Sequence, residues 1–424
     1  MSLRHVAMIA TLATLALAIP LSATAAQPLQ PQPDPVSTYR VEGVDTPAER
    51  TAVAREGVDV LSGGHDYLEI RATAEAADRL RATGLPLVPL PPTELPTVPL
   101  VGGFPSGFDG YHTYDELSTE LRTIAETRPD VVTLSSYGRS FEGRSLPLVK
   151  ISDAARTDEN EPEVLFTCAQ HAREHLTVEM CLHIVRRLAD GYGTDPAITE
   201  LVGSREVWVL PMVNPDGAEY DVERGVFAFW RKNRQPTPGS GQIGTDPNRN
   251  WSTQWGCCGG SSGNPAANTY RGTGPFSAPE TARIRDWVNS RVIDGKQQIT
   301  AHIDFHSYSE LVLWPYGYTT ADTARGLNAA DARTFRRLGE ELAATNGYIP
   351  QQASDLYITD GSVGDWMWAE HRIWSFTFEM YPESETQGGF YPPDTEIKRE
   401  TERNDDAVDL LLDRAACVPC GARP

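Results

Sequence analysis

The sequence predicts an α/β fold: a mixed, largely parallel central sheet with helices on both faces, preceded by a small α+β domain. Two observations support this. From about Tyr111 onward, apolar runs typical of buried strands alternate with helical stretches, which favours a sheet covered on both sides. Before that point, residues 38–90 follow the order β-α-β-β-α-β, the split βαβ arrangement of small α+β domains.

The individual elements follow from local patterns. In the small domain we predict strands over 39–44, 58–61, 67–70 and 87–90, and helices over 46–55 and 73–82. In the large domain we predict strands over 163–168, 206–212, 299–305 and 374–380, and helices over 174–189, 330–345 and 401–413. The run Ser277-Ala278-Pro279-Glu280 matches a capping box and predicts a further helix through residue 289.

The bulk composition limits the possible partners. A chain of 424 residues with 40% hydrophobic content is large enough for one sizeable core and a smaller domain. The formal net charge of −21 argues against nucleic acid or an anionic membrane surface as a partner, because both attract basic faces.

The first 25 residues have the pattern of a signal peptide. Arg4 supplies a positive start, residues 6–21 are mainly apolar, and Ala23 and Ala25 have the A-x-A spacing of a cleavage site. The apolar run is too short for a convincing membrane span. We therefore expect a secreted, extracellular product.

The remaining organisation is that of a zymogen. Residues 26–90 are the predicted propeptide domain, and the proline-rich residues 91–105 are a linker with the activation cleavage. The large catalytic domain covers 106–416, and 417–424 form a C-terminal tail. Export makes the cysteines candidates for disulfides, but the sequence leaves the fifteen possible pairings open. They are Cys168, Cys181, Cys257, Cys258, Cys417 and Cys420.

Three residues have the pattern of a zinc site. His171 follows a predicted strand and Glu174 opens the next helix, but such an H-x-x-E is common by chance and often marks only a surface turn. His306 stands at the end of a second buried strand. Two imidazoles and one carboxylate leave a fourth tetrahedral position for water, which is the arrangement of a catalytic zinc.

With these residues, five further motifs occur in the same order as in a known family. The chain resembles the zinc metallocarboxypeptidases of the carboxypeptidase A and B family, and most closely the bacterial carboxypeptidase T type, over roughly residues 111–415. The motifs are Trp230-Arg231-Lys232-Asn233-Arg234, Asn248-Arg249-Asn250-Trp251, His306-Ser307-Tyr308, Leu356-Tyr357 and Phe376-Thr377-Phe378-Glu379.

The resemblance implies a role for each residue. It makes His171, Glu174 and His306 the ligands of one catalytic zinc, and Glu379 the general base that activates the zinc-bound water. Arg231 would stabilise the developing oxyanion. Four further residues would bind substrate: Arg249 and Asn248 at the terminal carboxylate, Tyr357 as a mobile lid, and Arg173 beside the metal.

The implied function is a secreted exopeptidase that removes single residues from the C-termini of peptides or proteins. It would be a monomer inhibited by its own propeptide. B-type relatives place an aspartate where this chain has Gly364, and carboxypeptidase T carries an acid where Ser362 stands. Both departures predict a preference for apolar or aromatic terminal residues, with Leu313 and Gly317 in the pocket wall. Asp360 would weaken that preference if it faced the pocket.

An acidic cluster before the zinc strand is a candidate structural calcium site. Dense carboxylates on a loop can bind calcium, although a solvated acidic loop explains the same residues equally well. The candidate ligands are Asp158, Glu159, Glu161, Glu163 and Glu206.

Two other functions fit parts of the pattern. A relative that cleaves bacterial cell-wall peptides would need a different substrate pocket, and the conventional Asn248-Arg249 motif speaks mildly against it. A non-catalytic binding protein on the same fold would typically lack a zinc ligand or the base. All of these residues are present here, which favours an active hydrolase.

Overall fold

A computed structural model describes residues 36–64, 66–91 and 103–420. The predicted signal peptide lies outside the described residues, as do most of the predicted linker and residues 421–424 of the predicted tail. Across the described ranges, no helix combines the length and the apolar character that crossing a bilayer requires.

Residues 36–89 form a small α+β unit, in agreement with the split βαβ pattern. All strand pairs in its four-stranded sheet are antiparallel, and the strand order is β2-β3-β1-β4. Its core side chains form one cluster with Leu311, Leu313 and Leu356 of the large domain. The elements are β1 (Val36–Glu42), α1 (Pro47–Arg55), β2 (Asp59–Gly63), β3 (Tyr67–Thr73), α2 (Ala74–Ala82) and β4 (Leu87–Pro89).

The large domain contains ten strands and ten α-helices within its described residues. The strands are β5 (Val132–Arg139), β6 (Ser145–Ile151), β7 (Glu163–Cys168), β8 (Glu206–Leu210), β9 (Val292–Ile293), β10 (Lys296–Gln297), β11 (Ile299–Ser307), β12 (Leu311–Trp314), β13 (Ile349–Gln352) and β14 (Trp374–Met380). The helices are α3 (Tyr114–Thr127), α4 (His175–Gly191), α5 (Pro196–Val202), α6 (Pro215–Val222), α7 (Pro279–Ser290), α8 (Ala329–Asn346), α9 (Ala353–Leu356), α10 (Val363–His371), α11 (Ile397–Glu402) and α12 (Asp405–Arg414).

The central sheet has the strand order β13-β12-β14-β11-β7-β8-β6-β5. The inner strands β14, β11, β7 and β8 run parallel, whereas β6 and β5 add antiparallel pairs at one edge. Successive residues of β7 enter different cores: Val164 and Phe166 pack with α4 and α8, and Leu165 packs with α7 and α10. The predicted mixed sheet with helices on both faces is therefore confirmed.

Two local predictions are wrong. Helix α7 begins after Ala278, which has no side-chain cap, because the members of the expected capping box bond elsewhere. Ser277 accepts from Asn250, and Glu280 accepts from Asn233 and from the backbone N–H of residue 141. The predicted helix 401–413 is in fact two helices, α11 and α12. They separate at Asn404, whose amide donates to the carbonyl of residue 400.

The six cysteines form three disulfides, all between cysteines near each other in the chain. Cys168 pairs with Cys181 and joins the end of β7 to the second turn of α4. Cys257 pairs with its neighbour Cys258, and Cys417 pairs with Cys420. The first disulfide therefore brackets the loop that carries His171 and Glu174.

We expect removal of the Cys168–Cys181 disulfide by a double alanine substitution to lower the free energy of unfolding by about 3 kcal/mol, the chain-entropy value for a loop of this length. The loop spans 13 residues, compared with 3 for Cys417–Cys420. Removal of the Cys417–Cys420 disulfide is the matched control and should lower the free energy of unfolding by only about 1.5 kcal/mol. Denaturant titration of both variants measures the difference, and an equal loss in the two would contradict the expectation.

Candidate active site

The candidate site lies at the carboxyl ends of three adjacent parallel strands. Strand β7 ends at Cys168, three residues before His171, and Glu174 directly precedes helix α4. His306 is the eighth residue of β11, and Glu379 is its register partner on β14. The parallel order of the strands thus brings residues from distant parts of the sequence to one edge of the sheet.

The three predicted metal ligands meet at one point. The Nδ1 atoms of His171 and His306 are 3.0 Å apart, and they lie 2.8 and 2.9 Å from the Glu174 carboxylate oxygens. Two imidazole nitrogens this close repel each other unless a proton or a cation lies between them. Two nitrogens and one carboxylate are the donor set of a catalytic zinc, so these residues fit that ion.

Each histidine contacts a second carboxylate through its other ring nitrogen. Nε2 of His171 lies 3.2 Å from Asp246 Oδ1, and Nε2 of His306 lies 2.5 Å from Asp304 Oδ2. Although burial alone would raise the pKa of Asp246, the charge of Arg231 holds that pKa well below its usual range. The sequence interpretation missed both carboxylates, although each stands two residues before a predicted site residue.

Glu379 lies partly exposed beside His306 and lines the same cavity as His171 and Glu174. Burial raises the pKa of its carboxyl, partly opposed by the charge of His306. A raised pKa makes a carboxylate a stronger base than an exposed one, which suits a group that takes a proton from water.

Two arginines bring positive charge into the cavity. Nε of Arg231 donates to Asp246 Oδ2 at 3.0 Å, which fixes the guanidinium next to the metal ligands. Nη2 of Arg249 donates to the Tyr357 hydroxyl at 2.8 Å. Asn248 receives a hydrogen bond from the N–H of residue 363 on its Oδ1, so its amide nitrogen faces the site. Arg231, Arg249, Tyr357 and Asn248 all line the cavity.

Arg173 is a predicted site residue that does not line this cavity. It is fully buried, and its Nη1 donates to Asp59 Oδ2 at 2.6 Å. Its guanidinium also stacks on the Phe390 ring at 3.9 Å. Asp59 belongs to strand β2 of the small unit, and the next two residues, Val60 and Leu61, line the cavity directly.

In the segment after Tyr357, Asp360 does not face the pocket, whereas Asp365 does. The Asp360 carboxylate turns away from the cavity and accepts hydrogen bonds from the N–H groups of residues 256, 258 and 260. Asp365 does line the cavity, and its carboxylate accepts from the N–H groups of Gly317 and Tyr318. Burial raises the pKa of Asp365 to about 7, so the group is partly neutral at neutral pH. Gly317 itself lies behind this lining.

Several carboxylates of the predicted calcium site form ion pairs with basic side chains of the protein. Nη2 of Arg291 contacts Asp158 at 2.7 Å and also contacts Glu163. Nζ of Lys150 lies 2.7 Å from Glu206. Because the buried carboxylates are paired in this way, the structure gives the calcium prediction no support. Glu159 and Glu161 form a separate, more exposed group with Asp153.

Comparison with known proteins identifies the relatives of this chain. A family model described as zinc carboxypeptidase matches residues 117–407. A zinc carboxypeptidase of Saccharothrix mutabilis subsp. capreolus is 51% identical over 418 residues, which cover 96% of this chain and 95% of that protein. Human carboxypeptidase B is 31% identical over 297 residues, 70% of this chain and 68% of that protein.

A solved structure shows the same fold. The crystal structure of carboxypeptidase A from Helicoverpa armigera superimposes with a TM-score of 0.74 at 24% identity. The superposition covers 92% of this chain and 99% of that one, so it extends beyond the residues of the family match.

Proposed function

The chain belongs to the zinc carboxypeptidase family, and from this membership we propose the mechanism, specificity and regulation of its peptidase site. It is a metallocarboxypeptidase, a hydrolase that acts on peptide C-termini with a catalytic zinc. The observation that carries the proposal is one cavity lined by His171, Glu174, Glu379 and Arg249, with His306 completing the group of metal donors next to it.

We assign the metal to His171, Glu174 and His306, and the general base to Glu379. Bound zinc would supply a Lewis acid that polarises the scissile carbonyl and makes water nucleophilic near neutral pH. Glu379 takes the proton of the attacking water and later delivers it to the leaving amine. Arg231 donates to the carbonyl oxygen as negative charge develops there, and Asp246 holds its guanidinium in place.

Recognition of a free C-terminus is assigned to Arg249, Asn248 and Tyr357. A guanidinium can bind a carboxylate through two parallel hydrogen bonds, and the Asn248 amide adds a further donor. The Tyr357 hydroxyl accepts a hydrogen bond from Arg249, and this contact supports a role for Tyr357 as a lid that closes over the bound carboxylate. We assign Arg173 to a residue farther along the peptide, and its stacking on Phe390 of the cavity wall supports this assignment.

We propose a preference for apolar or aromatic terminal residues. Gly364 and Leu313 line the cavity, and the Asp360 carboxylate is engaged elsewhere. Asp365 is an acidic side chain that lines the cavity but was not predicted from the sequence. Its bonds to backbone N–H groups and its raised pKa make it a weak partner for a basic side chain.

We further propose that the protein is secreted as a zymogen, with residues 26–90 as an inhibitory propeptide. Strand β2 supports this, because Asp59 pairs with Arg173 while Val60 and Leu61 line the cavity. Helix α1 adds a second contact: Arg50 donates to the carbonyls of residues 355 and 356, next to Tyr357. Cleavage within residues 91–105 would free this unit from the site.

We expect Glu379→Gln to lower kcat by about 10³-fold, because the amide cannot accept the proton of the attacking water. Zinc content and KM should stay near their wild-type values, since Glu379 is not assigned to either task. Glu383→Gln, an exposed carboxylate four residues later, is the matched control. Steady-state kinetics with metal analysis measures all three, and full activity of Glu379→Gln would refute the assignment.

We expect the cleaved enzyme to hydrolyse blocked dipeptides ending in Phe or Leu faster than those ending in Arg or Lys. A side chain fits at Gly364, since a Cβ there would lie 3.7 Å from Ser375 Oγ. Gly364→Asp should raise kcat/KM for the basic substrates by about tenfold through a new ion pair, and Gly364→Asn should not. If the wild-type enzyme cleaves an Arg or Lys substrate faster than the Phe and Leu substrates, the specificity proposal is wrong.

We expect Asp59→Ala to raise the residual activity of the uncleaved precursor at least tenfold. The reason is that loss of one partner from a buried charge pair costs roughly 2 kcal/mol or more and weakens the blocked state. Asp78→Ala, an exposed aspartate of the same small unit, serves as the control. Both variants are made in a precursor whose linker resists proteases, so that cleavage does not contribute to the measured peptidase activity. Residual activity of Asp59→Ala equal to that of the unsubstituted precursor would exclude this contact as an inhibitory one.

A further inference from the structure

Asp304 is a fully buried carboxylate on β11 that the proposed reaction does not use. Its Oδ2 lies 2.5 Å from Nε2 of His306 and accepts a hydrogen bond from Gln170 Nε2 at 2.6 Å. Its Oδ1 accepts from the Thr167 hydroxyl at 2.5 Å. Both oxygens therefore have partners, and one of these partners is a predicted metal ligand.

Within the described residues, no Lys or Arg side chain forms an ion pair with Asp304. Among the residues that the structure describes, the one ion-pair partner of Asp304 is His306 itself. His302 joins the same network but is a poor source of positive charge, because burial lowers the pKa of its imidazole to about 4. Burial of a carboxylate beside a histidine and neutral donors alone is costly, so its position behind His306 requires an explanation beyond packing.

The contacts of Nε2 determine which nitrogen of His306 carries the proton. Two groups approach this atom: the Asp304 carboxylate at 2.5 Å and the Asn248 amide nitrogen at 3.3 Å. The short contact to Asp304 marks Nε2 as the nitrogen that donates to a carboxylate when a cation is bound on the Nδ1 side of the ring. With the proton on Nε2, the lone pair of Nδ1 is available on the side that faces Glu174 and His171, where the metal would bind.

A chain of hydrogen bonds across three strands fixes Asp304 in turn. Thr167, its register partner on β7, lies 2.9 Å from Nε2 of His302. Nδ1 of His302 lies 2.8 Å from the hydroxyl of Ser375 on β14. The carboxylate is thus held by β7, β11 and β14 together, which are the strands that carry the site.

We propose that Asp304 is a positioning residue of the metal site, which orients His306 and keeps its Nδ1 available to the zinc ion. This inference rests on the proposed function, in which His306 binds zinc. A carboxylate behind a histidine ligand typically contributes 10- to 100-fold in metal affinity. His171 has Asp246 in the equivalent position, but Asp246 is shared with Arg231, whereas Asp304 serves His306 alone among the ionic partners described.

The test is a competition titration of the metal-free protein against a zinc chelator, performed with Asp304→Asn and Asp304→Leu. We expect Asn to raise the zinc Kd about tenfold, since its single oxygen can still accept from His306, and Leu to raise it about 100-fold. The visible spectrum of the cobalt-substituted protein should change in both variants. Zinc Kd values within twofold of wild type for Asp304→Asn would overturn the proposal, even if Asp304→Leu does not fold.

Two controls separate the possible failures. Glu280→Gln also neutralises a fully buried carboxylate, but one bonded to Asn233, so it should lower thermal stability without changing the zinc Kd. A purely structural Asp304 would behave in the same way. His306→Ala tests the premise: if it leaves the zinc Kd unchanged, the metal assignment itself is wrong. If it weakens zinc binding while Asp304→Asn does not, only the positioning role fails.

Discussion

The parallel pairing of β7 with β11 is the constraint on which the rest of the site depends. It sets Cys168 beside Phe305, so the residues that follow each strand leave the sheet at the same place. One strand then supplies the loop to His171 and the other supplies His306 directly. The further pairing of β11 with β14 adds Glu379 next to His306. A shift of one residue in either register would turn these side chains to the opposite face of the sheet.

Such a concentration of charge beside a hydrophobic sheet requires a partner for every buried group. Asp246 meets this need for Arg231, and it also contacts His171. Asp304 is compensated from the other side, by His306 and by two neutral donors, the Thr167 hydroxyl on β7 and the Gln170 amide just after that strand. Because unpaired charges in an interior are costly, the network also limits which substitutions the site tolerates. The candidate metal ligands and the arginines of the cavity are thus part of one network of paired charges.

The small N-terminal unit takes part in the same balance. Arg173 is a buried cation whose charge is balanced by the ion pair with Asp59. Its guanidinium also stacks on the ring of Phe390. The core of the small unit also continues into Leu311, Leu313 and Leu356 of the large domain. Charge pairing and apolar contact therefore act together where β2 reaches the cavity. Under the proposed activation, release of this unit removes the Asp59 partner of Arg173 and frees its guanidinium for a substrate.

The sequence predicted the alternating α/β pattern and the order β-α-β-β-α-β, since periodicity is a local property of the chain, whereas the candidate metal donors depended on motifs that resemble a known family. It predicted β14 to the residue, but it missed the break at Asn404 and assigned Ser277 to a cap, because both depend on distant partners. Only the tertiary structure revealed Asp246 and Asp304, placed Asp365 in the pocket and turned Asp360 away. A carboxylate's role depends on which groups fold around it, and no local pattern contains that information.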